Sequence, residues 1–210
     1  MRRGPWLAVV ALLLGPGCSV LPSARSDAPT LHVLDAGPAV VAAPARRALV
    51  LAVGTPRAAA ALDSAAMLYV QQEHALERYA THRWADAPAR LIAPLLMRTL
   101  DDTGAFSAVV PANGLPADLR LDTELLQLRQ SFLVRPSRTE LALRLQLVDL
   151  AARRVLATRY IEVDENAPTD DAPGGVAAAN AALARALAQA ATWCIEQTAA
   201  PVPARPAQPQ

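Results

Sequence analysis

Two cysteines, three histidines and the adjacent aspartates Asp101-Asp102 are the side chains of this chain that first invite a chemical reading. Cys18 is the most telling. It stands behind Met1-Arg2-Arg3 and the apolar run Trp6 to Leu14, a basic n-region and an h-region too short to cross a bilayer as a helix. Gly17 is the small residue that a lipoprotein signal places at its cleavage point, and the thiol behind it is then the acceptor of a diacylglycerol thioether. The run Leu14-Gly15-Pro16-Gly17-Cys18 departs from the usual leucine, small, small, cysteine order, because Leu14 is one place early and Pro16 intrudes. A plain secretory signal ending near a cysteine is the competing reading; lipid attachment at Cys18, with 1–17 as signal peptide, is preferred. Ser19 rather than an aspartate follows. By the enterobacterial sorting rule this favours the outer membrane, and it leaves inner-membrane retention open.

The remaining candidates carry less. His32, His74 and His82 fall in different elements without metal-ligand spacing, so exposed or hairpin-capping histidines are expected, and neither metal nor cofactor. Asp101-Asp102 read as solvated carboxylates at a helix end. No nucleophile elbow, phosphate-binding glycine loop or HExxH helix occurs, and Gly174-Gly175 lacks the third glycine or lysine of such loops. No catalytic residue is therefore assigned. Cys194, beside Trp193 in an apolar stripe, reads as an inert core thiol. Arg153-Arg154, with Arg159 beyond, could meet phospholipid head groups or an acidic partner, but a solvated turn is the preferred reading. A net charge of +1 supplies no field for nucleic acid.

The elements that must position these groups are legible from periodicity. Residues 18–29 read as a tether, reaching roughly 15–20 Å by random-coil scaling. Leu31 to Asp35 and Leu49 to Val53 read as short strands, and Met67–Val70 with Leu76–Ala80 as a hairpin around Gln71 to Ala75. Three longer strands follow from period-two alternation: Leu119 to Leu125, Leu141 to Leu147, and Val155 to Val163 with Val155, Ala157, Ile161 and Val163 on the buried face. A turn is expected at Ala151–Arg154. Asp86 is the expected N-cap of a helix striped by Leu91, Ile92, Leu95, Leu96 and Leu100 and stopped at Gly104, with Pro94 forcing a kink or a late start. A second, alanine-rich helix should begin after Pro173-Gly174-Gly175, with Val176, Leu183, Leu187, Ala190 and Cys194 along one side. Pro201, Pro203, Pro206 and Pro209 predict a disordered tail over 199–210. The order of elements predicts one α+β domain over 30–198, a two-layer sandwich with a mixed, mostly antiparallel sheet and two helices packed on one face.

The middle of the chain narrows the field further. Tyr69 within Met67–Val70, then Leu76 to Tyr79, then Arg83-Trp84-Ala85-Asp86-Ala87-Pro88 leading into an amphipathic helix, resembles the ABC-type transport auxiliary lipoprotein component family. Gly104 to Val109, the strand start Ala117-Asp118-Leu119-Arg120-Leu121 and the helix Ala178 to Ile195 continue the likeness, which covers roughly residues 30 to 196. The resemblance implies a non-enzymatic partner of an ABC permease and ATPase and of a mammalian-cell-entry (MCE) domain protein. Such systems move phospholipids or other hydrophobic molecules between inner and outer membranes. It also allows a homo-oligomer built through sheet edges or helix faces.

What remains open is how the domain acts. In the preferred reading it docks, with Trp84, Tyr69, Tyr79 and Arg83 as candidate contacts for the partner or for lipid. For Trp84 the other reading is packing at the helix entry beside Tyr69 or Tyr79. The alternative function is a periplasmic carrier holding an acyl chain between sheet and helix, which requires an apolar cavity of ligand size.

Overall fold

The computed structural model describes residues 28–37 and 41–199. The leader, Cys18, the tether up to residue 27 and the tail from residue 200 onward lie outside the described residues. In chain order the elements are β1 (Thr30–His32), β2 (Val50–Val53), β3 (Arg57–Ala58), β4 (Ala66–Val70), β5 (Glu77–Trp84), α1 (Pro88–Asp102), β6 (Ala108–Pro111), β7 (Leu119–Ser131), β8 (Arg138–Asp149), β9 (Arg154–Asn166) and α2 (Ala172–Gln197). This is an α+β fold with a mixed sheet of nine strands.

β7 organises the sheet. Along one edge it pairs antiparallel with β8 over its whole length, and β8 pairs antiparallel with β9. These two ladders supply most of the paired residues and make the sheet mostly antiparallel. Along the other edge, β2, β3 and β4 follow one another in parallel, at Leu119–Leu121, Glu124–Leu125 and Gln130–Ser131 of β7. β6 lies outside β2 in parallel, β5 outside β4 antiparallel, and β1 outside β5 in parallel.

The alternating leucines give the sheet one apolar face. Leu119, Leu121 and Leu125 of β7, Leu141 to Leu147 of β8 at every second position, and Ile161 and Val163 of β9 are buried in one cluster with both helices. The opposite face carries cross-strand ion pairs, among them Arg144–Glu124 at 3.3 Å and Arg129–Glu140 at 2.9 Å. Such partly solvated pairs each contribute little to stability but keep this face polar. Two bulges break the simple alternation. Leu126 is an extra residue between paired Leu125 and Gln127, so it stands 40% exposed while Leu128 returns to the core. Leu156 is likewise extra between Val155 and Ala157. Val155, expected on the buried face, is therefore turned onto the open one and is 51% exposed. One added residue reverses the parity of everything beyond it, which a period-two reading cannot anticipate.

The helices differ from expectation at their starts. α1 has Ala87 at its N-cap and Pro88 in its first turn. Asp86 sits one residue earlier, where its carboxylate accepts from the Ala87 N–H at 2.7 Å and from Arg90 at 2.7 to 3.0 Å. Pro94 delays nothing: the helix runs through it, with the ring on the exposed side. Gly104, at φ 65°, turns the chain out of α1 through the left-handed conformation that glycine adopts without strain. α2 begins before its glycines rather than after them. Asp171 caps it by accepting from the Gly174 N–H at 2.8 Å, and Gly174 and Gly175 lie inside the first turn. The β8–β9 turn spans Leu150 to Arg153.

Candidate docking surface

The β4–β5 hairpin positions the four candidate contact residues. Ala66 pairs with Arg83 but Leu68 already pairs with Arg78, so two steps along β4 face five along β5. The surplus of β5 bows out of the ladder, carrying Tyr79, Thr81 and His82 toward the N-terminus of α2. There they form one wall of an open groove of about 600 Å³, shared with Tyr69, Phe132 and Pro173 and faced by Asp170 and Asp171.

Within the groove the aromatic rings form a string. Tyr69 meets Tyr79 at a centroid distance of 4.6 Å, and Phe132 edge-on at 6.0 Å. The Tyr69 hydroxyl donates to Glu77 at 2.9 Å. That of Tyr79 donates to Gln130 Oε1 at 2.7 Å, and Gln130 Nε2 donates in turn to Ser137 Oγ at 2.9 Å. Burial, then the neighbouring Tyr69 and Asp171, push the Tyr79 phenol up to about 12. Folded Tyr79 keeps its proton at pH values where an unfolded tyrosine, ordinary near 10.0, has lost it. Stability linked to this group is thus present below about 10 and is lost as pH rises toward about 12. In an ultraviolet absorbance titration, a phenolate step near 12 should vanish in Tyr79→Phe.

The acidic wall is fixed by hydrogen bonds. Asp170 accepts from the Ser137 N–H at 2.6 Å and pairs with Arg135 at 3.2 Å; Asp171 accepts from the Thr169 hydroxyl at 2.6 Å and from Gly174. These bonds hold both carboxyls below the usual carboxylate range, so the wall is anionic at neutral pH.

The other two candidates part company. Arg83 is exposed, whereas Trp84 is 4% exposed and belongs to the core. The histidines are not independent either. Parallel pairing of β1 with β5 brings His32 Nε2 to 2.9 Å from His82 Nδ1, with the rings stacked. Burial, and then the His82 charge, lower the pKa of His32. His74 sits in the hairpin turn at φ 66°. Among the described residues no group of three or more His, Cys, Asp or Glu converges on a point where a metal ion could bind. Cys194 is fully buried, and burial pushes its thiol up to about 12. Such a thiol is protonated and shielded at neutral pH.

Sequence reasoning missed Phe132, the histidine pair and the acidic wall. Asp171 before Ala172-Pro173 was a readable N-cap signal. The histidine contact depends on a parallel pairing fifty positions apart and left no local trace.

The space between sheet and α2 is filled. Ala178, Ala179, Ala182, Ala186, Ala190 and Ala191 lie flush on the leucine face, each at most 2% exposed. Beside Trp84 and Met67 a void of about 10 Å³ remains, at the lower limit for a single water. No helix among the described residues is long and apolar enough to cross a membrane.

The chain is thus an α+β domain whose sheet is covered on one face by two helices, with an aromatic groove open at one end. The chain belongs to the ABC-type transport auxiliary lipoprotein component family, whose model matches residues 31–191. Its fold is that of protein XCC0632 from Xanthomonas campestris, with a TM-score of 0.72 and 20% identity over 80% of this chain and 96% of that one. The hypothetical protein CT253 from Chlamydia trachomatis is similar at a TM-score of 0.53 and 9% identity, over 74% of this chain and 100% of that one. No curated protein gives a significant match. The family is one of lipoprotein components of transport systems, which associates the chain with the cell envelope and describes an auxiliary component, not an enzyme.

Proposed function

We propose that this protein is anchored to the outer membrane by lipid at Cys18 and serves, from the periplasmic side, an ABC-type transport system. In that role it docks an MCE-domain protein that carries phospholipid or another hydrophobic molecule between the two membranes. Family membership supports the transport setting. The observation that favours docking over carrying is the filled helix–sheet interface, where alanines leave a residual void of about 10 Å³; a bound acyl chain needs an apolar cavity of several hundred Å³. The Tyr69 groove has such a volume, but it is open and two carboxylates, Asp170 and Asp171, stand in its wall. It suits a polypeptide better than a hydrocarbon tail.

The contacts proposed for the partner are Tyr69 and Tyr79, which line the groove, and exposed Arg83 farther along β5; buried Trp84 lies behind them, beside Gly175 and Ala179 of α2. The test is capture of an MCE-domain protein of the same bacterium on full-length protein in detergent. Retention is expected, and Tyr69→Ala should weaken it by about 2 kcal/mol, roughly thirtyfold in affinity. Co-purified lipid rising in proportion to protein would instead support a carrier. Fatty-acid labelling of wild type against Cys18→Ala tests the anchor, and equal labelling of the two would sink it.

A further inference from the structure

We infer that the end of the sheet bearing Leu76, Leu133 and Val134 seats in the surface of the same bilayer that holds the lipid anchor; the inference rests on Cys18 being the point of lipid attachment. Parallel pairing of β4 with β7, continued by the Phe132 N–H donating to the Val70 carbonyl at 2.9 Å, sets the β4–β5 turn beside the β7–β8 loop. From these two loops Leu133 and Val134 stand 46% exposed and Leu76 49% exposed. Three large aliphatic side chains held in water on adjacent loop tips are the arrangement of an interfacial insertion site. Behind them lie Phe132 and the Tyr69–Tyr79 pair, rings of the kind that settle at head-group depth. Arg78 at the start of β5 and Arg135 in the β7–β8 loop, the latter beside Asp170, are exposed at the same end, where lipid phosphates would lie. At the opposite end the exposed aliphatics are Leu115 in the loop before β7 and Val155 at the start of β9, and the β8–β9 turn carries Arg153.

The direction of the chain identifies the lipid surface as the occupant. β1 runs parallel to β5, and β5 leaves the β4–β5 turn at Glu77. The chain therefore enters Thr30 from the side of the apolar tips. Thr30 is level with His82, whose neighbour Arg83 pairs with Ala66, three positions along β4 from the Tyr69 that pairs with Glu77, or about 10 Å at strand rise. Twelve positions separate Cys18 from Thr30, enough for roughly 40 Å when extended and about 19 Å as a random coil. The tether thus spans the distance at which tips and anchor share one surface. The Tyr69 groove then opens next to the membrane, and a partner docked there is placed where its cargo must enter the leaflet.

The test uses the full-length lipidated protein in vesicles of three parts phosphatidylethanolamine to one part phosphatidylglycerol. Cys18 is blocked by acylation and Cys194 is buried, so a nitrobenzoxadiazole probe on Leu133→Cys reports one position. Severalfold stronger quenching by spin-labelled lipid is expected there than on Ala151→Cys in the β8–β9 turn. Equal quenching at the two positions overturns the seating. In a second preparation, Leu133→Asp with Val134→Asp should abolish quenching of a probe on Leu76→Cys, and persistence of that quenching also counts against the proposal. Mass spectrometry of the Cys18 peptide separates the two ways of failing. A missing acyl group defeats the anchor and this inference with it, whereas an acylated protein without quenching defeats the seating alone.

Discussion

Replacing Trp84 by alanine is expected to lower stability by about 3–5 kcal/mol, the cost of removing a buried indole from a core that collapses only in part. The residue ends β5 and sits just ahead of α1, so its loss loosens the junction between hairpin and helix. Its N–H donates to the Ala65 carbonyl at 2.8 Å, and that bond survives the substitution. What disappears is packing. Trp84 already borders a small void with Met67, Leu68, Leu128 and Ala179, and truncation would merge the vacated space with it. For a domain of this size the melting temperature should fall by roughly ten degrees, measured by circular dichroism. Trp84→Phe should recover more than half of the loss. An unchanged melting temperature would mean that the indole is not used for packing, and would return it to the list of partner contacts.

Gly174→Ala is the second large effect, and its sign is diagnostic. Helix propensity alone would make this change inside α2 stabilising by about 1 kcal/mol. The structure predicts the reverse. A Cβ at Gly174 would lie 2.0 Å from the Thr169 carbonyl oxygen and 2.5 Å from its hydroxyl, and the carbonyl belongs to backbone that cannot rotate away. The first turn of α2 would have to move off the loop that precedes it, at a cost of about 2–3 kcal/mol. Gly175→Ala meets the end of a side chain instead, Gln130 Oε1 at 2.0 Å. Gln130 is buried and engaged by both Tyr79 and Ser137, so this variant should also disturb the groove. Urea unfolding of both variants gives the comparison. A gain in stability for Gly174→Ala would refute the close approach.

Much of the architecture could be read before folding was considered, because it rests on local regularities. The leucines of β7 and β8 alternate with arginine, glutamate and glutamine, and alternation of that length specifies a strand with one wet face. The alanine stripe of α2 specified a helix that could approach a sheet closely. What stayed hidden depends on single residues or on distant partners. Leu126 and Leu156 look like ordinary members of their runs, yet each is a bulge that exchanges the faces beyond it. The two residues of β3 have no pattern of their own and are a strand only because Glu124 and Leu125 lie beside them. Asp86 looked like a cap because aspartate commonly is one; Arg90, one turn on, takes its carboxylate instead. At the candidate site, Tyr69, Tyr79, Arg83 and Trp84 were named through a family likeness that marks positions rather than exposure. Only the bowing of β5 separates the tyrosines, which open onto the groove, from the tryptophan behind them.

The arrangement along β7 has a consequence for the order in which the chain can fold. β7, β8 and β9 are consecutive and joined by short turns, so this meander can form from neighbouring segments. β2 and β3 are placed differently, since the strand that pairs with both of them begins more than sixty residues later. Until Leu119 has been synthesised and is free to pair, β2 and β3 lack the strand that holds them in the sheet, whereas β4 and β5 can pair with each other. The long-range parallel contacts of β2 and β3 bring a loop-closure cost that is met late. β2 and β3 are therefore the last strands to become rigid, and pulse-labelled hydrogen exchange should find β7 to β9 protected before them.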